Sequence, residues 1–115
     1  MKSTELRIGN IIESRTKHPV KANWGTLRAL ENGEKTYLPI KITEEWLFKL
    51  GFEPHSKIGF RRFYNIHTFV IEITHDNVCV YYTDREVQIC FIKYIHELQN
   101  LFFALTNTEL QCEGF

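Results

Sequence analysis

Three apolar runs at residues 69–74, 78–83 and 87–93 follow one another with breaks of only a few residues, and they constrain this chain more than any other feature. Each run is rich in β-branched and aromatic side chains, which suit a pleated, half-buried surface. The breaks fall at Asp76-Asn77 and Asp84-Arg85. A two-residue turn at the first puts Ile73 opposite Val80 and Ile71 opposite Tyr82. A two-residue turn at the second puts Tyr82 opposite Val87, Val80 opposite Ile89 and Val78 opposite Phe91. Both turns select the same apolar face, and a one-residue slip in either would break that agreement. Asp84-Arg85 is not a favoured hairpin pair, so a longer connection there stays open. Residues 60–64 supply a further strand. The expectation is an antiparallel meander of three to four strands within residues 60–93.

A helix follows at residues 94–107. Ile95, Leu98, Leu101, Phe102 and Leu105 recur at helical spacing and make one stripe. Asn107 can close the helix, because Asn tolerates the left-handed region. A shorter helix is expected within 41–52. Thr43 offers an N-cap oxygen, and Glu44 and Glu45 put negative charge at the positive end of the dipole. Gly51 ends it, and Phe52 folds back. Two turns of helix are not stable alone. The apolar stripe of Trp46, Leu47 and Leu50 must therefore be packed, and the C-terminal stripe is expected with it on the apolar sheet face. The whole is α+β: a meander with a C-terminal amphipathic helix, a short central helix and a small N-terminal β segment.

The first 40 residues are less regular. Leu6-Arg7-Ile8 alternates like a short strand, broken at Gly9-Asn10 before Ile11-Ile12. Residues 13–23 are polar, contain Pro19 and read as an exposed loop. Residues 24–38 admit two readings. Asn32-Gly33 could close a hairpin, or Thr26 could cap a short helix with Leu27 and Leu30 on one face. Propensity favours the helix.

The 115 residues fit a single domain, and 43% hydrophobic composition suffices for one core. Cys79, Cys90 and Cys112 are odd in number and widely spaced, unlike a secreted disulfide framework. The N-terminus has no apolar leader core. No apolar run approaches the 20 or so residues a membrane span needs. These features point to a cytoplasmic protein with reduced thiols and no membrane partner.

Formal net charge is zero, yet residues 1–30 carry six basic and two acidic groups. Arg15, Lys17, Lys21, Trp24 and Arg28 are the candidate nucleic-acid contacts, since cations meet phosphates and an aromatic can stack on an unpaired base. A solvated basic loop explains the same residues. The meander register also brings Cys79 opposite Cys90, near enough for a bond or shared metal, although a reducing cell would leave two free thiols. Those residues belong to the less apolar sheet face. Val70, Cys79, Tyr81, Cys90 and Ile92 there make a candidate self-association surface.

Catalytic signatures are lacking. None of the five histidines lies within three residues of another histidine or of a cysteine. His96-Glu97 reads as solvent-facing or capping. Glu44-Glu45 is explained by the helix dipole. No Gly-rich phosphate loop or CxxC grouping occurs. No metal and no cofactor is expected, and the balance is against an enzyme.

Three blocks carry a resemblance: Glu5-Leu6-Arg7-Ile8-Gly9-Asn10, residues 39–52 (PIKITEEWLFKLGF) and residues 94–106 (YIHELQNLFFALT). Together they cover 33 of the 115 residues. In order and spacing they resemble short uncharacterised proteins of Bacteroides-type bacteria, their phages and mobile elements. Residues 11–38 depart from that family's longer β-rich stretch, and Asn107 stands where Gly is usual. The resemblance implies a bacterial or phage cytoplasmic protein and brings no catalytic residue. The expected function is a non-catalytic binding or regulatory module with a protein partner. Nucleic acid and a second copy of the chain are the other candidate partners.

Overall fold

The computed structural model describes residues 5–14, 16–33, 37–58, 61–66, 69–74, 78–82 and 87–112; at 57, 58, 82 and 87–91 the description is of the backbone. The chain groups into two compact units. One holds residues 1–41 and 94–109, the other residues 42–93 and 110–115.

In the first unit, Arg7 to Asn10 form a tight turn in place of the expected strand at 6–8. The Asn10 amide donates to the Arg7 carbonyl at 3.1 Å, and the Arg7 amide donates to Asn10 Oδ1 at 2.6 Å. Gly9 takes φ +95°, a value open to glycine at the third position of such a turn. Strand β1, Ile11–Glu13, then pairs antiparallel with β2, Pro19–Lys21. The polar 13–23 stretch is therefore half hairpin, and not loop throughout. Pro19 is tolerated because it opens its strand.

Helix α1, Trp24–Glu31, resolves the 24–38 ambiguity in favour of a helix. Its cap is Asn23, three residues before the expected Thr26. The Thr26 amide donates to Asn23 Oδ1 at 3.0 Å, and the Asn23 amide donates back to Thr26 Oγ1 at 3.3 Å. That reciprocal pairing satisfies two amides at once. Leu6, Ile12, Ala22 and Leu30 are buried together, with Val20, Leu27 and Tyr37 packed against them.

Helix α3, Ile95–Thr106, belongs to this unit and packs against β1. Asn107 closes it with φ +56°, as expected of that residue. Its buried face is Ile95, His96, Leu98, Gln99 and Phe102. The expected stripe is thus corrected: Leu105 is 44% exposed, whereas His96 and Gln99 are each 3% exposed. The helix is rolled toward a polar seam that the hydrophobic pattern alone does not reveal.

In the second unit, α2, Glu44–Lys49, is capped by Thr43 Oγ1, which accepts from the Trp46 amide at 3.3 Å. It ends as expected. Gly51 has φ +92°, its amide donates to the Phe48 carbonyl, and the Phe52 amide donates to the Leu47 carbonyl. Leu47, Leu50 and Phe52 are at most 2% exposed. Trp46 is only half-buried, with Lys49 Nζ 4.7 Å from its ring centre.

Among the described residues the meander has five strands: β3, Glu53–Ile58; β4, Arg61–Ile66; β5, Phe69–Ile73; β6, Val78–Tyr82; and β7, Val87–Ile92. The extra strand β3 is polar and carries Pro54. It lies at the sheet edge, where proline is accommodated, and its register shifts between Pro54 and Ser56.

Two register expectations are corrected. Ile71 faces Val80, Ile73 faces Val78 and Phe69 faces Tyr82, a two-residue shift from the expected pairing. Such a shift leaves every side chain on its face, so the apolar set survives, with Phe69, Ile71 and Val80 fully buried. Between β6 and β7, Tyr82 faces Val87 as expected, but the register slips by one between Val80 and Tyr81. Val80 then faces Cys90, Cys79 faces Phe91 and Val78 faces Ile92. Cys79 and Cys90 are therefore not cross-strand partners. The turns at 76–77 and 84–85 and the strand start at Phe60 lie outside the described residues.

Candidate functional site

The basic N-terminal residues do not converge. Lys17, with φ +63°, sits in the tip of the β1–β2 hairpin, at the far end of the ribbon from α1. Lys21 faces Ile11 across the ribbon. Its neighbour Val20 packs into the core with Leu27 and Leu30 of α1, so strand alternation puts Lys21 on the other ribbon face. Arg15 lies outside the described residues. Only Trp24 and Arg28 share a surface, one turn apart on the outer face of α1, with Glu31 next along the same stripe.

Trp24 is 76% exposed. Its backbone is nevertheless fixed, because it is the first residue after the Asn23 cap and its helix is anchored by buried Thr26 and Leu30. A large aromatic held rigidly in water is an uncommon use of tryptophan, which is strongly buried on average.

The proposed self-association face is divided. Val70 faces Tyr81 and Glu72 faces Cys79, so Val70, Cys79 and Tyr81 occupy one face. The β7 bulge gives Cys90 and Ile92 register positions on the Val78/Val80 face. At the centre of the first face Glu72 is 5% exposed. Arg61 Nε donates to its Oε2 at 2.5 Å, Arg61 Nη2 to its Oε1 at 3.1 Å, and the Tyr81 hydroxyl to Oε1 at 2.7 Å. The Arg61 hydrogen bonds hold the Glu72 carboxyl below its usual range. Accepting from Tyr81 raises that phenol. Both carboxylate oxygens are engaged, so Glu72 is a structural anion and not an available base.

A shallow groove of about 470 Å³ in the second unit is lined by Phe48, Pro54, His55, Arg62 and Tyr64 among others. Glu44 closes one side. Its Oε2 accepts from the Tyr64 hydroxyl and lies 3.5 Å from Arg62 Nη1. Burial, then Glu44, pushes the Tyr64 phenol up. Phe48 is 42% exposed and meets the Tyr64 ring edge-on at 5.8 Å.

Sequence reasoning missed a buried polar seam in the first unit. Gln99 Oε1 accepts from the Ile11 amide at 2.7 Å, and Gln99 Nε2 donates to the Gly9 carbonyl at 3.4 Å. Asn100 Oδ1 accepts from Asn10 Nδ2 at 2.9 Å and from Arg7 Nε at 2.8 Å. Arg7 also pairs with Glu109 at 2.5 Å and lies 4.3 Å above the Phe103 ring. The first and third resemblance blocks are therefore bonded to each other across some 90 residues of chain. The available signal was two adjacent amides, Gln99-Asn100, inside an otherwise apolar helix, together with a Gly-Asn turn. Among the described residues, no three His, Cys, Asp or Glu side chains are placed to hold a metal ion, and no helix is long and apolar enough to cross a membrane.

Comparison with protein-family models, with curated proteins and with solved structures finds no match to this chain.

Proposed function

We propose that this chain is a non-catalytic binding or regulatory module of a bacterial or phage cytoplasm that docks a protein partner on the outer face of α1. One observation carries this reading: Trp24, 76% exposed on a doubly capped helix, with Arg28 beside it. Tryptophan and arginine are the residues most enriched at binding hot spots. A Trp side chain buries about 150–250 Å². Covering the exposed part of Trp24 would therefore contribute roughly 3–5 kcal/mol before ordering costs, at about 25 cal/mol per Å². The cell type and compartment in the proposal rest on the three-block resemblance and on the odd, widely spaced cysteines.

A second reading has one observation in its favour. An aromatic and a guanidinium on one helix face can stack on unpaired bases. Against it stand Glu31 on the same stripe and the dispersal of Lys17 and Lys21.

Affinity purification of the tagged protein from its native cells, with and without nuclease, separates the two readings. The protein-partner reading expects capture that survives nuclease and is lost with Trp24→Ala. Capture lost on nuclease treatment and weakened steeply by salt favours nucleic acid. Capture unchanged by Trp24→Ala overturns the assignment of the α1 face under either reading.

A further inference from the structure

His96 is a titratable side chain in an unusual position. It lies in the first turn of α3, yet it is 3% exposed. Its ring stacks on Tyr94, with centroids 5.9 Å apart and planes within 9°. Nδ1 is buried and has no hydrogen-bond partner among the described residues. Nε2 lies 3.9 Å from Glu5 Oε2, too long for a hydrogen bond. In the turn around it the Leu98 amide donates to the Tyr94 carbonyl at 3.2 Å. Tyr94 provides no side-chain cap, so the Glu97 carboxylate reaches back to the Tyr94 amide at 3.0 Å, and the Ile95 amide donates to the Ile40 carbonyl at 2.8 Å.

We propose that His96 is an acid-sensitive latch: as neutral imidazole it seals the first turn of α3 into its unit, and on protonation it releases that turn. Protonation would give both ring nitrogens an N–H, and among the described residues neither has an acceptor at hydrogen-bonding distance. The new charge would be buried, which is costly without a close partner. It would also sit at the positive end of the α3 dipole, where a cation is disfavoured. Two carboxylates act the other way, Glu97 from α3 itself and Glu5 from the N-terminal segment. Burial is the largest of these influences, and it holds the imidazole below its usual range.

The sign follows from linkage. A base whose folded-state pKa is depressed leaves the unfolded or opened chain binding more protons at mildly acid pH, so closure weakens as pH falls below the ordinary histidine range. The open state is local, because the buried amide seam at Gln99 and Asn100 begins one turn further along α3. The device would loosen the junction of the Glu5 segment, Ile40 and the helix start, and leave the rest of α3 in place.

The test is amide hydrogen exchange of the full chain at pH 7.5 and pH 5.2, corrected for the intrinsic pH dependence of exchange, on the wild type and on His96→Gln. The wild type should lose about tenfold protection at residues 95–98 on acidification, with residues 99–103 unchanged. His96→Gln should show no such difference. An equal change in both proteins overturns the proposal, as does uniform loss along the whole helix. Should His96→Gln fail to fold, an NMR titration of the wild-type imidazole decides alone. A midpoint clearly below that of a free histidine supports the latch, and a midpoint at or above it refutes it.

Discussion

Replacing Gln99 by leucine adds an apolar side chain to a helix already rich in them, and it should nevertheless destabilise the protein. Gln99 is 3% exposed and serves the Ile11 amide at 2.7 Å and the Gly9 carbonyl at 3.4 Å. Ile11 is fully buried, so water cannot replace the lost acceptor. A buried donor left unpaired costs about 1–3 kcal/mol, and the weakened Gly9 carbonyl adds to that. The extra apolar burial of leucine returns about 1–2 kcal/mol. With central values of about 2 kcal/mol for the amide, about 1 for the carbonyl and about 1.5 returned, the net loss is roughly 1–2 kcal/mol. At a urea slope of about 1–2 kcal/mol per molar, the midpoint should fall by roughly 1 M. The companion substitution Leu105→Gln removes an apolar residue from the sequence-derived stripe, but that residue is 44% exposed. Its effect should stay within about 0.5 kcal/mol. Equilibrium urea unfolding of both variants gives the comparison. If Leu105→Gln proves the more damaging of the two, α3 is rolled as its hydrophobic pattern suggests and the buried seam is wrong.

Other substitutions test other joints. Thr43→Ala removes the cap of α2 and should cost about 1 kcal/mol by thermal or urea unfolding. Gly51→Ala places a side chain at φ +92°, with its Cβ 3.4 Å from Ile66 Cδ1, and should cost about 1–2 kcal/mol. Arg61→Ala should lower the urea midpoint, because among the described residues Glu72 then keeps the Tyr81 hydroxyl as its side-chain donor. Glu72 also predicts a pH dependence. Its carboxyl is held low in the folded state, so its contribution is complete above the ordinary carboxylate range and is lost as pH falls through the depressed value. Acid unfolding of Glu72→Gln should therefore be flatter below about pH 4.5 than that of the wild type.

Where local chemistry decides an element, the sequence was legible. Thr43, the acidic first turn and Gly51 described α2 closely, and Asn107 closed α3 as its tolerance of left-handed backbone allows. Period-two apolar runs located β5, β6 and β7, and an even slip between β5 and β6 preserved the faces of those two strands. The bulge in β7 was not legible, because a one-residue insertion leaves no compositional trace in a run that is apolar at neighbouring positions. It separated Cys79 from Cys90 and divided the surface drawn from Val70, Cys79, Tyr81, Cys90 and Ile92. Strand β3 escaped notice because edge strands can be polar and hold proline. The basic set failed as a site for a geometric reason: nearness in sequence between Lys17, Lys21 and Arg28 became a hairpin tip, a ribbon face and a helix face. Trp24 stood out only once its exposure was known. In a sequence, an aromatic one residue after a cap reads equally well as core.

The central functional claim is that the Trp24 face of α1 meets a protein. A photo-crosslinking phenylalanine analogue placed at position 24 in the native cells tests it directly, with the same analogue at exposed position 105 as the control. The account predicts a discrete, nuclease-resistant protein adduct from position 24, absent from position 105 and suppressed by Arg28→Glu. Adducts to nucleic acid alone, or none above the position 105 control, would contradict it.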